Sequence, residues 1–176
     1  MKTATAGRRG FTVIELLITL GILGIIAAML VPSLFTALED PAEDTAHQKR
    51  TVADMRNTGT AMFSWLTDQV GAAAAGQAAT LIDLHDYSEI SRADLATILV
   101  PQYLQTVPEL DGWGNAYDYS LNVDNPLARS VMAIRSRGRD GVAEGDVYTV
   151  TSFVPAGYDQ DVVWADGFFV RWPQKQ

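Results

Sequence analysis

The chain is expected to fold as an α+β protein, with a long N-terminal helix, transmembrane in its first half, packed on a small antiparallel β-sheet head. Three patterns predict this. Residues 11–35 form an almost unbroken apolar run. Apolar residues then recur at spacings of three and four as far as Val70. Beyond residue 115, short β-rich segments alternate with turn residues. At 176 residues the chain is long enough for one domain with a real core.

The first ten residues, MKTATAGRRG, are basic and polar, and the next 25, FTVIELLITLGILGIIAAMLVPSLF, carry Glu15 as their one charge. At ~1.5 Å per residue this helix reaches about 37 Å, enough to cross a ~30 Å hydrocarbon core. A secretory signal has a shorter apolar region, with its small-residue cleavage site after it. Here the basic segment meets the apolar run at Gly10, so a cut at that point leaves the whole helix on the mature chain. Lys2, Arg8 and Arg9 are expected to stay cytoplasmic, with the C-terminal part on the far side of the membrane. Gly21 and Gly24 permit close helix packing, and Pro32 removes a backbone donor and favours a kink.

Glu15 carries its own argument. A carboxylate in a membrane helix is costly and usually has a partner. A chain that begins at Phe11 carries a positive α-amine, and Glu15 lies about 6 Å further along the helix. A neighbouring copy shifted by that amount sets its amine against Glu15. The alternative is a glutamate that snorkels to the interface.

After Phe35 the chain turns polar. Asp40 before Pro41 reads as an N-cap followed by proline at the first helical position. The expected helix runs to about Val70, with Val52, Met55, Gly59, Met62, Phe63, Leu66 and Val70 on one core-facing side. Pro41 and its acidic neighbours imply a break between the apolar helix and this one. GAAAAGQAAT, residues 71–80, reads as a loop. Ser91-Arg92-Ala93-Asp94 fits a capping box opening a short helix, which Pro101 should stop. Strands are expected at 116–121, 131–137, 147–154, 162–165 and 168–172, with Ala165-Asp166-Gly167 as the hairpin turn between the last two.

Net charge is −8, and without Lys2, Arg8 and Arg9 ten basic side chains face 21 acidic ones, giving −11. Such a chain repels phosphate, so nucleic acid is not expected as the main partner. The absence of cysteine excludes disulfides and thiolate metal sites. The two histidines, His47 and His85, lack metal-ligand spacing, and no serine elbow or nucleotide loop occurs. No enzymatic activity is expected. Trp113, Trp164 and Trp172 read as core or subunit contacts.

Gly10-Phe11-Thr12-Val13-Ile14-Glu15-Leu16-Leu17, between a basic leader and an apolar run ending near Pro32, resembles the class III signal of type IV pilins and pseudopilins. The resemblance implies cleavage by a prepilin peptidase between Gly10 and Phe11, N-methylation of Phe11, and use of Glu15 to set subunit register. It also implies a type IV pilin-like fold. Residues 1–10 are then a leader, 11–35 the transmembrane assembly helix and 36–176 a periplasmic head, with a helix over about 41–70, a variable loop over 71–90 and a β-sheet over about 116–172. The pilin helix normally continues without a second proline, so Pro41 is a departure.

Pro108-Glu109-Leu110-Asp111-Gly112-Trp113-Gly114-Asn115-Ala116-Tyr117 resembles a motif of the major pseudopilin of type II secretion, with Ala116 in place of the usual proline. Ser136-Arg137-Gly138-Arg139-Asp140-Gly141 and Asp146-Val147 resemble that family's calcium loop, which is longer. The resemblance implies calcium held by Asp140 and Asp146, with carbonyls presented by the turns at Gly138, Gly141 and Gly145. The competing reading is a glycine-rich turn with solvated carboxylates. Arg135, Arg137 and Arg139 favour it by offsetting Asp140, Glu144 and Asp146, unless alternation along the strand points them away.

The function implied is a pseudopilin, a subunit that polymerises into a short periplasmic filament driving protein export by type II secretion. Its implied partners are further copies of itself, minor pseudopilins, the prepilin peptidase, and an inner-membrane assembly platform with its ATPase. The implied location is the bacterial inner membrane, single-pass, with a cytoplasmic N-terminus. A true type IV pilin for adhesion, motility or DNA uptake is the alternative, although many carry a C-terminal cysteine pair that is absent here. A membrane-tethered periplasmic enzyme or binding module is the third reading.

Overall fold

The computed structural model describes residues 13–37, 41–70 and 80–175, with side chains of the first helix placed as far as Ile26. Gly10, Phe11, the expected cap at Asp40, the break beside it and the loop over 71–79 lie outside the described residues. The chain divides into two compact units, Met1–Asp40 and Pro41–Gln176.

In the first unit, helix α1 (Val13–Ala37) runs without interruption through Gly21, Gly24 and Pro32. In the second, α2 (Pro41–Val70) begins on the proline, whose missing N–H would have had no helical partner. Its expected stripe is the buried one: Met55, Gly59, Met62 and Leu66 face the core, flanked by half-buried Val52, Phe63 and Val70. Helix α3 (Arg92–Leu99) opens on the Ser91 side chain, which accepts from the Asp94 amide. The Val100–Pro101 peptide is cis.

The strands are β1 (Leu81–Asp83), β2 (Asp118–Leu121), β3 (Met132–Ser136), β4 (Val147–Thr149), β5 (Thr151–Phe153), β6 (Val162–Ala165) and β7 (Phe168–Pro173). Five form a sheet in the order β2-β3-β6-β7-β5, and β1 and β4 form a separate two-stranded ribbon. The two faces of the sheet have different partners, because side chains alternate along a strand. Ile134 and Trp164 join α2 and α3 in the larger core. Ala133, Val163, Ala165 and Val170 pack with Ile82 and Tyr148 of the ribbon in the smaller one. The head is therefore three layers, helix, sheet and ribbon.

Gly59 allows α2 to lie against the sheet: a Cβ there would stand 2.6 Å from the Trp164 ring. The β6–β7 turn is tight, with Asp166 at φ 45° and Gly167 at φ 103°, the pair of positive angles that suits Asp-Gly. Asp166 also ties neighbouring elements together. One carboxylate oxygen accepts from the amides of Val131 and Met132, and the other accepts the Tyr87 hydroxyl at 2.6 Å.

Two expectations need correction. The single strand expected over 147–154 is two strands in different sheets. The chain bends at Val150, whose amide bonds to Thr80, so that Tyr148 enters the ribbon core and Phe153 the core under α2. Having crossed to the far edge, β5 pairs parallel with β7, so the sheet is antiparallel apart from this pair. The segment 71–90, expected as loop, contributes β1, paired antiparallel with β4. Three residues ending in Asp83 are too short for alternation to announce a strand.

Candidate functional site

Glu15 lies in the first turn of α1. Around it the helix is apolar on every side. Ile14 is 66% exposed, Leu17 66% and Leu23 61%, and all described side chains from Val13 to Ile26 are exposed. An all-round apolar helix needs lipid or other helices to cover it. Among the described residues no helix is long and apolar enough to cross a membrane.

The segment Asp111–Asn115 is a fastening anchored on buried Asp111 and Gly112. Asp111 accepts from the amides of Trp113 and Asn115 with one oxygen and from the Ser136 hydroxyl with the other. Gly112 lies against the His47 carbonyl so closely that a Cβ would collide with it, and its amide donates to Thr51 of α2. The Trp113 indole donates to Asp44, which also receives Arg139. Asn115 donates to the Gly138 carbonyl of the glycine-rich loop. Trp113 thus joins α2 to that loop, Trp164 is core, and Trp172 is half-buried at the α2–β7 side. His47 is half-buried, 3.5 Å from Glu43.

In the loop over 138–146, the Asp140 carboxylate is exposed and accepts from the Val142 amide. Asp146 faces a cation of the protein itself. Arg135, only 12% exposed, donates to Asp118 Oδ2 at 2.8 Å, the Gly145 carbonyl at 2.8 Å and Asp146 Oδ1 at 3.0 Å, and lies 3.4 Å from the Tyr148 hydroxyl. Alternation does not point Arg135 and Arg137 away. Both share the ribbon face and both bind Asp118, while Arg139 goes to Asp44 and Asp159. Burial acts to lower the Arg135 pKa, but its bonds to Tyr148 and Asp118 raise it overall, so it stays charged.

Of the two expected ligands, Asp146, with the neighbouring Gly145 carbonyl, is thus already engaged by a guanidinium, and Asp140 is not among that guanidinium's partners. Among the described residues no group of three or more His, Asp or Glu side chains is arranged to hold a metal. The residues present do not fit a divalent ion while Arg135 is in place, because a second cation would be repelled at that point.

Sequence reasoning missed three participants. From the sequence, Arg135 stands out only as an offsetting charge. Asp161, fully buried beneath the loop, accepts from the Glu144 amide and lies 2.5 Å from the Tyr148 hydroxyl. Burial raises its pKa, opposed by those two hydrogen bonds. His85 lies between Asp83 at 2.9 Å and Asp146 at 3.6 Å. The Asp83 hydrogen bond, then the charges of Asp146 and Asp83, raise its pKa, and the same bond lowers that of Asp83. Only the alternation Arg135, Arg137 opposite Asp118 on a neighbouring strand could have signalled the cluster.

In comparison with known protein families, residues 5–31 match the prokaryotic N-terminal methylation motif. No curated protein and no solved structure matches. The matched stretch contains Gly10, Phe11 and Glu15. It indicates a precursor of the type IV pilin-like or pseudopilin kind, and it points to a structural subunit rather than an enzyme.

Proposed function

We propose that the chain is a pseudopilin that polymerises into a short periplasmic filament driving export by a type II secretion system. In this reading it is cut between Gly10 and Phe11, methylated at Phe11, and anchored in the inner membrane with its head in the periplasm. The peptidase, minor pseudopilins, and a platform with its ATPase act on it or beside it. The observation that carries the reading is the methylation motif at 5–31, which overlaps a helix whose described side chains are apolar on all sides around one acid. The segment from Asp111 to Asn115 favours the secretion subunit over a surface pilin, since it resembles the pseudopilin motif. The N-terminal signal is common to both.

Assembly buries the α-amine of Phe11, and Glu15 is the one acid in residues 11–35. Removing one member of a buried ion pair costs about 3–5 kcal/mol. In a single subunit both groups lie near the interface and reach water, so the loss is smaller. Glu15→Ala should therefore be inserted and cleaved normally yet build no filament, and Glu15→Asp should retain part of the yield. Intact mass of the wild type should correspond to a chain beginning at methylated Phe11. A different N-terminus, or normal filaments from Glu15→Ala, would overturn the reading.

A further inference from the structure

Two surfaces of the head are complementary and lie on opposite sides of its sheet. The first is a groove of about 750 Å³ between α2 and β7, on the helix side. Its walls include half-buried Val52, Phe169 and Trp172, and its rim carries the exposed cations Lys49, Arg56 and Lys175. Residues 41–176 hold ten basic and eighteen acidic side chains. Among the described residues Arg50, Arg135, Arg137, Arg139 and Arg171 are paired with carboxylates. Among the described residues the three groove cations, like Arg92 and Arg129 elsewhere, make no ion pair with a carboxylate, and Arg56 lies over the Phe169 ring, 5.6 Å from its centroid.

The second surface is the outer face of the β1–β4 ribbon. Leu81 is 57% exposed and Val147 54%, although both stand in strands. Asp83 stands in register with Val147 on this face, with His85 beside it, and exposed Asp86 follows in the turn after β1, while Asp146 turns inward to Arg135. One surface is therefore apolar with a cationic rim and the other apolar with an acidic rim. The sheet separates them, so they cannot meet within one head.

We propose that the α2–β7 groove receives the outer ribbon face of a second copy of this chain. Each copy offers one surface of each kind, so the contact is head-to-tail and propagates, as a filament requires. Opposite charges fix which face meets which, and like faces repel. The proposal rests on the filament reading and specifies the head contact within it.

Full-length chain expressed in its membrane tests it. Lys49→Glu/Arg56→Glu and Asp83→Lys/Asp86→Lys should each be processed normally and melt within a few degrees of wild type, while yielding roughly tenfold less sheared filament. Combining the four exchanges should restore most of the yield. Wild-type yield from the groove variant, or no recovery in the combined variant, overturns the proposal. The chain has no cysteine, so a pair introduced at Ala53 in the groove and Thr149 on the ribbon is clean. A short bis-maleimide should link the double variant into a ladder and leave either single variant monomeric. Dimers from a single variant would mean that like faces meet, and monomers from the double variant that the two do not touch. If wild type forms no filament, the filament reading fails, and the crosslinking result alone decides the contact.

Discussion

Arg135 binds Asp118, Asp146 and the Gly145 carbonyl from a position almost out of solvent. Replacing it with glutamine takes the guanidinium from Asp146 and the Gly145 carbonyl, while Arg137 still holds Asp118. Hydrogen bonds to charged groups contribute ~1.5–3 kcal/mol, and the partial exposure of both acids holds the figure to that range. Arg135→Gln is expected to lower the melting temperature of the detergent-solubilised protein by roughly 5–10 °C. Millimolar calcium against chelator should leave the wild type unmoved; a clear calcium-dependent rise would show that the loop takes the metal despite Arg135. His85 gives a pH signature. Its folded pKa is raised and that of Asp83 lowered, so their contact stabilises between those two values. The His85 contribution is complete below its unfolded pKa and disappears as pH rises through the folded one. The melting-temperature difference between wild type and His85→Gln should therefore shrink from pH 6 to pH 8.5, and a constant difference would discard the pair.

At the scale of elements, the sequence was legible where periodicity was long. The stripe from Val52 to Val70 gave α2, and Ser91 with Asp94 gave the start of α3. Asp166-Gly167 marked its turn because few residue pairs tolerate two positive φ values. What remained hidden depended on long-range pairing. Nothing local in Leu81–Asp83 announces a strand before Val147–Thr149 lies beside it. The bend at Val150 depends on the distant Thr80 carbonyl. Likewise the motif Asp111–Asn115 was recognised by resemblance, but its work as a fastening needs Asp44, Thr51 and Ser136, all remote in sequence. Gly112→Ala pushes a methyl group into the His47 carbonyl and should destabilise the head by ~1–3 kcal/mol, measured by denaturant midpoint. An unchanged midpoint would mean that α2 shifts freely there.

For the whole molecule, both hydrophobic cores are built from residues of Pro41–Gln176. A chain starting at Pro41 is therefore expected to unfold cooperatively without detergent. The complete chain, with Val13–Ile26 apolar on every side, should need detergent or lipid to stay dispersed. Size-exclusion profiles of the two, with and without detergent, check this. A soluble full-length monomer in plain buffer would mean that α1 finds cover within the protein.

The way α2 is tied at its first turns has a mechanical consequence. Asp44 takes the indole of Trp113 and the guanidinium of Arg139, and Thr45 lies 3.0 Å from the Tyr158 hydroxyl, all within four residues of Pro41. Traction entering the head at Pro41 meets these three attachments together, and they lead to the Asp111–Asn115 segment, the glycine-rich loop and the segment before β6. Attachments loaded side by side must yield together, whereas a helix held only by its apolar stripe can peel one turn at a time. Loosening one of them with Trp113→Phe should lower the force at which the head gives way far more than it lowers the resting melting temperature.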